Sequence, residues 1–343
     1  MKLRNLLALS MAGPLALAGA QAQAQAQAPA QPALQLYGVV GLYVGKMERS
    51  GGPGSVTQMG HGGLTTSYFG FRGTEDLGGG MKAVFALESF FRPDTGSMGR
   101  TAVDGFFSRN AYVGVQGDFG RLTAGRQTNP TYSNMAAVSA FGGSTVFSPL
   151  VLQSFIGTYG GAILGDTGWS DTIQYTSPRW GGLSVTGIYG FGEVAGDSGQ
   201  SNLGLHLRYG NGPLTAVLSA QRVRVPMVAP MTEQKAYLAG AAYDFKLAKL
   251  YGSIGRTESE GASNETRTAS LGVRVPAGPS GAVLAEWART KREAALDTTR
   301  STASIGYDHA LSKRTDVYVV YSRDKLTSFD NANSFAVGVR HTF

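Results

Sequence analysis

The C-terminal stretch Asn333–Phe343 constrains the fold of this chain most strongly. Its apolar side chains alternate with small or polar ones, so that one face carries Phe335, Val337, Val339, His341 and Phe343. Period-two alternation is typical of a strand with one apolar side. A chain that ends on an aromatic residue suits a membrane barrel, in which the last strand pairs with the first and aromatic side chains lie at the membrane interface. The alternative is a soluble β-sandwich whose last strand ends late.

The same alternation recurs along the chain. About sixteen strands are predicted between residues 34 and 343, with short and long connections in alternation. The chain is 42% hydrophobic, yet beyond its N-terminus it contains no apolar run of the ~20 residues that a membrane helix needs. We therefore predict an all-β fold, a transmembrane antiparallel β-barrel with short turns at the periplasmic end and long loops outside.

The N-terminus has the features of a secretory signal peptide. Lys2 and Arg4 precede an apolar run of about a dozen residues and the small residues Ala18-Gly19-Ala20. We predict a signal peptide over residues 1–20, with cleavage possible up to residue 26, and a flexible lead-in over residues 27–33. The chain contains no cysteine, so this exported protein relies on its backbone ladder and packing.

Charge and motif content argue against several functional classes. The formal net charge is +7, but the basic residues form no cluster or helix that would bind nucleic acid. The four histidines are scattered without metal-ligand spacing, and no Gly-x-Ser-x-Gly motif occurs. We therefore predict no catalytic residue, no metal, no cofactor and no nucleic-acid partner. In a channel, a modest net positive charge instead favours the passage of anions.

The connection from Thr128 to Gly168 is exceptionally long and poor in charge. Its first charged side chain is Asp166. Long unstructured connections are usually functional, and a sixteen-stranded barrel encloses an aqueous lumen. We expect this connection to fold into the lumen and narrow it. The alternative is that it packs against a neighbouring subunit.

Three arginines lie in the predicted strands next to this connection, namely Arg72, Arg109 and Arg126. Arg72 shares a strand face with Tyr68 and Gly70, so it is expected to point inward. Three neighbouring cations would favour anions. The alternative is that each arginine is paired in the wall, for example with Glu75, Asp76 or Glu88.

Several short motifs now carry a family resemblance. They are Leu36-Tyr37-Gly38, Ser67–Gly78, Arg109–Gly114, Gly117-Asp118-Phe119-Gly120, Gly125-Arg126-Gln127, Tyr175–Pro178, Leu311–Thr315 and Gly338–Phe343. In order and spacing the chain resembles the Gram-negative general diffusion porins, especially their beta-proteobacterial branch. The resemblance implies a sixteen-stranded homotrimeric barrel with its third loop in the pore. It also implies that the outer-membrane assembly machinery recognises Phe343.

Two departures from that family concern the pore constriction. The family often has Arg before Phe-Gly-Phe, where this chain has Tyr68. The family loop often reads Pro-Glu-Phe-Gly-Gly-Asp, and here Ala140 and Ser144 stand where carboxylates would be. The expected constriction comprises the wall residues and a neutral loop segment: Arg72, Arg109, Arg126 and Tyr68, with Ala140, Phe141, Gly142, Gly143 and Ser144.

The resulting functional prediction is a multi-pass protein of the bacterial outer membrane, in contact with the lipid bilayer. It would let small hydrophilic solutes and ions diffuse passively through a weakly anion-preferring pore. Neutralising Arg126 should then reduce the anion preference. The alternatives are a substrate-selective channel with a solute-binding constriction, and an adhesin or structural barrel with a plugged lumen.

Overall fold

The computed structural model of the chain describes residues 34–193, 195, 201–224, 231–261 and 264–343. The predicted signal peptide and lead-in lie outside these residues. Within them the strands are β1 Leu34–Met47, β2 Val56–His61, β3 Tyr68–Gly78, β4 Met81–Arg92, β5 Ser97–Met98, β6 Asn110–Gly117, β7 Gly120–Thr128, β8 Gly168–Thr176, β9 Leu183–Phe191, β10 Ser201–Asn211, β11 Leu214–Val223, β12 Glu233–Asp244, β13 Lys249–Glu260, β14 Asn264–Pro276, β15 Gly281–Glu293, β16 Thr298–Ala310, β17 Thr315–Leu326 and β18 Ala332–Thr342.

These strands form a closed antiparallel barrel with sixteen strands in its wall, as predicted. The barrel closes where β18 pairs with β1, from Val39 opposite Thr342 to Lys46 opposite Phe335. The two remaining strands, β2 and β5, are short additions within connections. Strand β2 pairs with the second half of β1, from Leu42 to Met47. Neither was predicted, because a two- to six-residue strand has too few alternating positions to be recognised in the sequence.

The predicted strand faces are confirmed. On β14, Leu271 is 65% exposed while its neighbour Ser270 is 3% exposed. The inward face is held by cross-strand hydroxyl pairs, such as Ser253 with Ser270 at 2.7 Å and Thr257 with Thr266 at 2.6 Å. Apolar side chains therefore face the lipid and polar ones face inward, which is the arrangement that a membrane barrel requires. Among the described residues, none of the helices is long and apolar enough to cross a membrane.

The connection between β7 and β8 is not structureless, which corrects the sequence-based expectation. It contains helix α1, Pro130–Ala137, and helix α2, Pro149–Phe155. Each begins with a proline preceded by a polar cap: Asn129 accepts from the backbone N–H of Thr131, and Ser148 accepts from that of Val151. This pairing satisfies first-turn N–H groups and is favourable at a helix start. Both helices are too short for their apolar spacing to have been recognised.

Both helices pack against wall side chains that face away from the lipid. In α1, Thr131 Oγ1 donates to Gln221 Oε1 at 2.6 Å and Asn134 Nδ2 donates to Ser219 Oγ at 3.0 Å, so α1 is tied to β11. In α2, Gln153 Nε2 donates to Thr302 Oγ1 on β16 at 2.8 Å. These contacts are consistent with the predicted inward fold of the connection.

An apolar cluster between the connection and the wall explains why the connection lacks charge. Phe141 and Phe147 are buried at 4% and 1% exposure against Tyr43, Tyr318 and neighbouring wall residues. The ring centroids of Phe147 and Tyr43 lie 5.5 Å apart in an edge-to-face contact. A charged side chain here would lose its hydration without gaining a partner.

Candidate functional site

A buried carboxylate, Glu88, organises one side of the barrel interior. Strands β3, β4 and β6 are adjacent, and Glu88 lies opposite Gly70 on one neighbour and Asn110 on the other. Its two oxygens accept hydrogen bonds from the Tyr37 hydroxyl, the Arg109 guanidinium and the Asn110 amide. A carboxylate that is 4% exposed needs such partners, because an unpaired buried charge is strongly unfavourable.

Two arginines stack on tyrosines beside Glu88. The Arg109 guanidinium carbon lies 4.0 Å from the centre of the Tyr68 ring, and that of Arg72 lies 4.5 Å from the centre of the Tyr37 ring. Arg109 is also ion-paired with Glu88, whereas Arg72 Nε donates to the neutral side chain of Gln35 at 2.9 Å. The positive charge of Arg109 is therefore neutralised by Glu88, whereas that of Arg72 is not neutralised, because Gln35 carries no charge.

A cavity of about 320 Å³ separates this wall from the connection. The wall contributes Tyr68, Phe90 and Arg109, and the connection contributes Tyr132, Gly143 and small neutral neighbours. The Tyr132 hydroxyl donates to the carbonyl of Gly143 at 2.5 Å. Burial raises the pKa of Tyr132, so this hydroxyl stays neutral. The cavity thus faces a cation on the wall side and neutral groups on the connection side.

The five predicted loop residues do not all reach this cavity. Gly143 lines it. Ala140 and Phe141 are buried against the wall, and Ser144 Oγ donates to the carbonyl of Gly63 in the connection after β2 at 2.6 Å. Gly142 takes a left-handed conformation, φ 58°, which allows the turn between these anchored neighbours. Most of the predicted segment therefore attaches the connection to the barrel.

Arg126 is not among the residues that line this cavity. Its guanidinium donates to the Ser108 carbonyl at 2.7 Å and to Ser170 Oγ at 2.8 Å, and it lies 3.5 Å from Asp166. The strand is irregular here, since the pairing of β7 with β8 shifts register between Gly125 and Gln127. A local irregularity of this kind redirects a side chain in a way that alternation cannot predict.

Another arginine, Arg100, lies in the segment between β5 and β6 and ties that segment to the connection between β7 and β8. It donates to Asp104 Oδ2 at 2.9 Å and to Asp166 Oδ2 at 2.8 Å. Burial by itself would raise the pKa of Asp166, but the hydrogen bonds and charge of Arg100 outweigh it and hold that pKa below its ordinary value. For Asp104 too, burial would raise the pKa, but the hydrogen bonds and charge of Arg100 outweigh burial and lower it.

Further inward-facing arginines lie in the half of the barrel nearer the short turns. By strand parity they are Arg121, Arg208, Arg274 and Arg340. Arg340 is paired with Asp316 at 3.0 Å, and Arg274 lies 3.8 Å from Asp308. The sequence pattern indicated the inward face of Arg208 and Arg274, but nothing in it marked them as part of a pore. The described residues contain no group of three or more His, Asp or Glu that could hold a metal ion.

Comparison with known proteins agrees with this architecture. A family model described as Gram-negative porin matches residues 8–328. Outer membrane porin protein 32 of Delftia acidovorans is 31% identical over 340 residues, 92% of this chain and 95% of that protein. An outer membrane porin protein of Bordetella pertussis is 29% identical over 326 residues, 81% and 82% of the two chains.

Solved structures show the same barrel. An anion-selective porin from Comamonas acidovorans superposes with a TM-score of 0.77 at 28% identity, covering 90% of this chain and 99% of that one. The trimer form of OmpT from Vibrio cholerae shares the fold with a TM-score of 0.67 at 15% identity, covering 90% and 99%. The closed barrel, the matched family model and these relatives together establish that this chain belongs to the Gram-negative porins of the outer membrane.

Proposed function

We propose that the chain forms a weakly anion-preferring pore whose narrowest part is the cavity between Arg109 and the connection. Small hydrophilic solutes and ions would pass by diffusion, with no chemistry performed by the protein. The observation that carries this proposal is the one-sided charge of the cavity, with Arg109 facing the neutral residues Tyr132 and Gly143. The related porin from Comamonas acidovorans is anion-selective, which supports the same sign.

The electrostatics favour a modest preference. Glu88 compensates Arg109, while Arg72 is bonded to the neutral Gln35. Inward arginines such as Arg208 and Arg274 add positive potential along the lumen, where a low-dielectric wall focuses it. In this proposal Arg72 and Arg109 act directly, and Arg126 contributes through its charge and by holding Ser108 and Ser170.

A substrate-selective channel is the second candidate. The aromatic rings of Tyr68, Phe90 and Tyr132 line the cavity, and such rings would contact a flat or apolar part of a solute. Selective binding would make solute flux saturable, whereas free diffusion would keep it linear in concentration.

The test is single-channel recording of the refolded protein in planar bilayers, with reversal potentials in a salt gradient. Large, ohmic conductance with modest anion preference is expected. Absence of conductance would contradict the pore and favour a plugged barrel. Flux assays in liposomes with increasing solute concentration separate the two channel proposals.

We also propose a homotrimer in which Phe343 is the assembly signal. Phe343 and Gly38 exchange backbone hydrogen bonds at 3.1 and 3.2 Å, so the terminal residue closes the wall. Phe343→Ala keeps these backbone groups and removes the ring. We expect several-fold less protein in the outer membrane of cells and unchanged refolding in detergent. Equal loss in both assays would show that the ring acts in folding and not in recognition.

A further inference from the structure

A buried histidine, His206, lies on the inward face of β10 and has no part in the pore described above. Its side chain is 2% exposed, although the inward face of a wide barrel borders an aqueous lumen. Among the described residues, neither ring nitrogen of His206 has a hydrogen-bond partner. Buried polar groups normally have one, so this exception calls for an explanation.

A glycine in the wall makes room for the imidazole ring. A side-chain carbon added at Gly204 would lie 2.5 Å from His206 Nε2 and 2.9 Å from Ile188 Cγ2. The ring therefore lies back along β10, over Gly204 and close to Ile188. Ile188 is itself 1% exposed and packs with Trp169 and Val223. On the wall side, small and apolar groups thus enclose the imidazole.

Helix α1 covers His206 from the lumen side. Asn134 Nδ2 donates to Ser219 Oγ at 3.0 Å and to the carbonyl of Leu207 at 3.4 Å. Ser219 lies opposite His206 in the pairing of β10 with β11, and Leu207 is the next residue along β10. The Asn134 side chain therefore lies beside His206, and α1 separates the imidazole from the water of the lumen.

The elements around His206 supply no anion. The inward-facing residues of β9 and β11, and all residues of α1, are uncharged. On the inward face of β10 the charged residue is Arg208, a cation two positions from His206. The titratable residue of α1 is Tyr132, whose hydroxyl donates to Gly143. A protonated imidazole would here lose its hydration, gain no counter-ion and lie near a second cation, all of which are unfavourable.

The same helix forms one side of the cavity that we propose as the pore constriction. Tyr132 and Ser133 of α1 line this cavity, and Tyr68 and Arg109 line it from the opposite wall. Helix α1 therefore has His206 on its wall side and the constriction on its other side. If α1 moved away from β10 and β11 so that water reached the imidazole, it would move into the cavity and narrow it.

We propose that His206 makes the constriction sensitive to acid, an inference that depends on the proposed pore. At neutral pH the uncharged imidazole stays enclosed and α1 packs on the wall. A proton binds more tightly once water reaches the ring, so acid favours the arrangement in which α1 has left β10 and β11. The pore therefore narrows as the pH falls.

The test is single-channel recording of the folded protein as the pH is lowered from about 7 to about 4, across the ordinary imidazole pKa of about 6.5. We expect the wild-type conductance to fall at least twofold, and reversibly. His206→Gln, which stays uncharged, should keep its neutral-pH conductance throughout. A wild-type conductance that does not respond to acid would overturn this inference and leave the pore intact, because the pore is tested at neutral pH.

The matched control is His309→Gln, at a histidine on the outer face of β16, which should keep the wild-type response to acid. A response that persists in His206→Gln would show that carboxylates, and not His206, narrow the pore, and would overturn the proposal.

Hydrogen exchange of the α1 amides, corrected for the intrinsic effect of pH, reports the movement of the helix itself. In the wild type this exchange should become several-fold faster in acid, and in His206→Gln it should not. Unchanged α1 exchange in the wild type would contradict the proposal, and this measurement remains decisive if His206→Gln does not refold.

Discussion

At the scale of single residues, we expect one ion pair beside the cavity to set the sign of the pore's selectivity. Glu88 and Arg109 form a pair beside the cavity, and each is uncompensated when the other is removed. Substitution of one or the other by glutamine therefore changes the local charge in opposite directions.

We predict that Glu88→Gln increases anion preference and that Arg109→Gln reduces it or reverses it to cations. The first variant leaves Arg109 uncompensated, and the second leaves Glu88 uncompensated, so reversal potentials in a tenfold salt gradient should move in opposite directions. Lys313→Gln, in an exposed short turn, is the control and should behave as wild type. Shifts of the same sign in the two variants would rule out this account.

A second residue-scale prediction concerns pH and the Arg100–Asp166 pair. Because the folded pKa of Asp166 is lowered, its stabilisation is present above the unfolded value of about 3.9 and is lost as pH falls through the folded pKa. Asp166→Asn should lower the free energy of unfolding in detergent by on the order of 1 kcal/mol at pH 7. The difference from wild type should begin to shrink below about pH 4 and vanish once the pH lies below the lowered folded pKa of Asp166; a constant difference down to pH 2 would contradict the mechanism.

At the scale of elements, the helix-bearing connection is attached to the wall through one buried carboxylate, Glu286 on β15. Its oxygens accept from Ser139 Oγ at 2.6 Å, from Ser148 Oγ at 3.1 Å, and from the backbone N–H groups of Phe141 and Leu150 at 3.2 and 3.1 Å. The carboxylate lies at the start of α2, where the helix dipole also favours negative charge.

We predict that Glu286→Gln loosens the connection. An amide NH₂ cannot accept the hydrogen bonds that one carboxylate oxygen receives, which costs about 1–3 kcal/mol. Single-channel records should then show larger current fluctuations, and the midpoint of guanidinium unfolding should fall. Glu75→Gln, at an exposed carboxylate of β3, is the matched control. Wild-type current noise in Glu286→Gln would mean that other contacts hold the connection.

At the scale of the whole molecule, the barrel depends on a close approach between its first and last strands. A side-chain carbon added at Gly45 of β1 would lie 2.4 Å from the carbonyl oxygen of Phe335 and 2.7 Å from Ala336 Cβ. Both are fixed by the pairing of β1 with β18. Closure therefore requires glycine at this position.

We predict that Gly45→Val prevents most of the protein from refolding to the compact form that migrates faster on an unheated gel. Gly187→Val on β9 is the control, because nothing lies within 4 Å of the added carbon there. It should refold as wild type does. Normal refolding of Gly45→Val would show that the two strands can separate enough to admit a side chain.

The sequence alone determined the class of fold, because period-two alternation is a local property that decides which side chains of a strand face lipid. Alternation thereby predicted the barrel and the faces of β10, β14 and β18, and the resemblance of short motifs in their order and spacing indicated the family; all of these are confirmed. The sequence also named Tyr68, Arg109 and Gly143, which lie at the cavity, whereas Arg72 and Arg126 are not among the residues that line it.

Only the tertiary structure decided which inward-facing side chains become hydrogen-bond or ion-pair partners. Tyr37, Glu88 and Arg109 meet because three strands far apart in sequence are paired in one register. In the sequence Glu286 is only one more inward-facing position of a strand. Its role in holding the connection is visible only in the structure, where the connection folds over it. The two helices were missed because a helix of seven or eight residues is stabilised mainly by what it packs against, and that surface is supplied by β11 and β15.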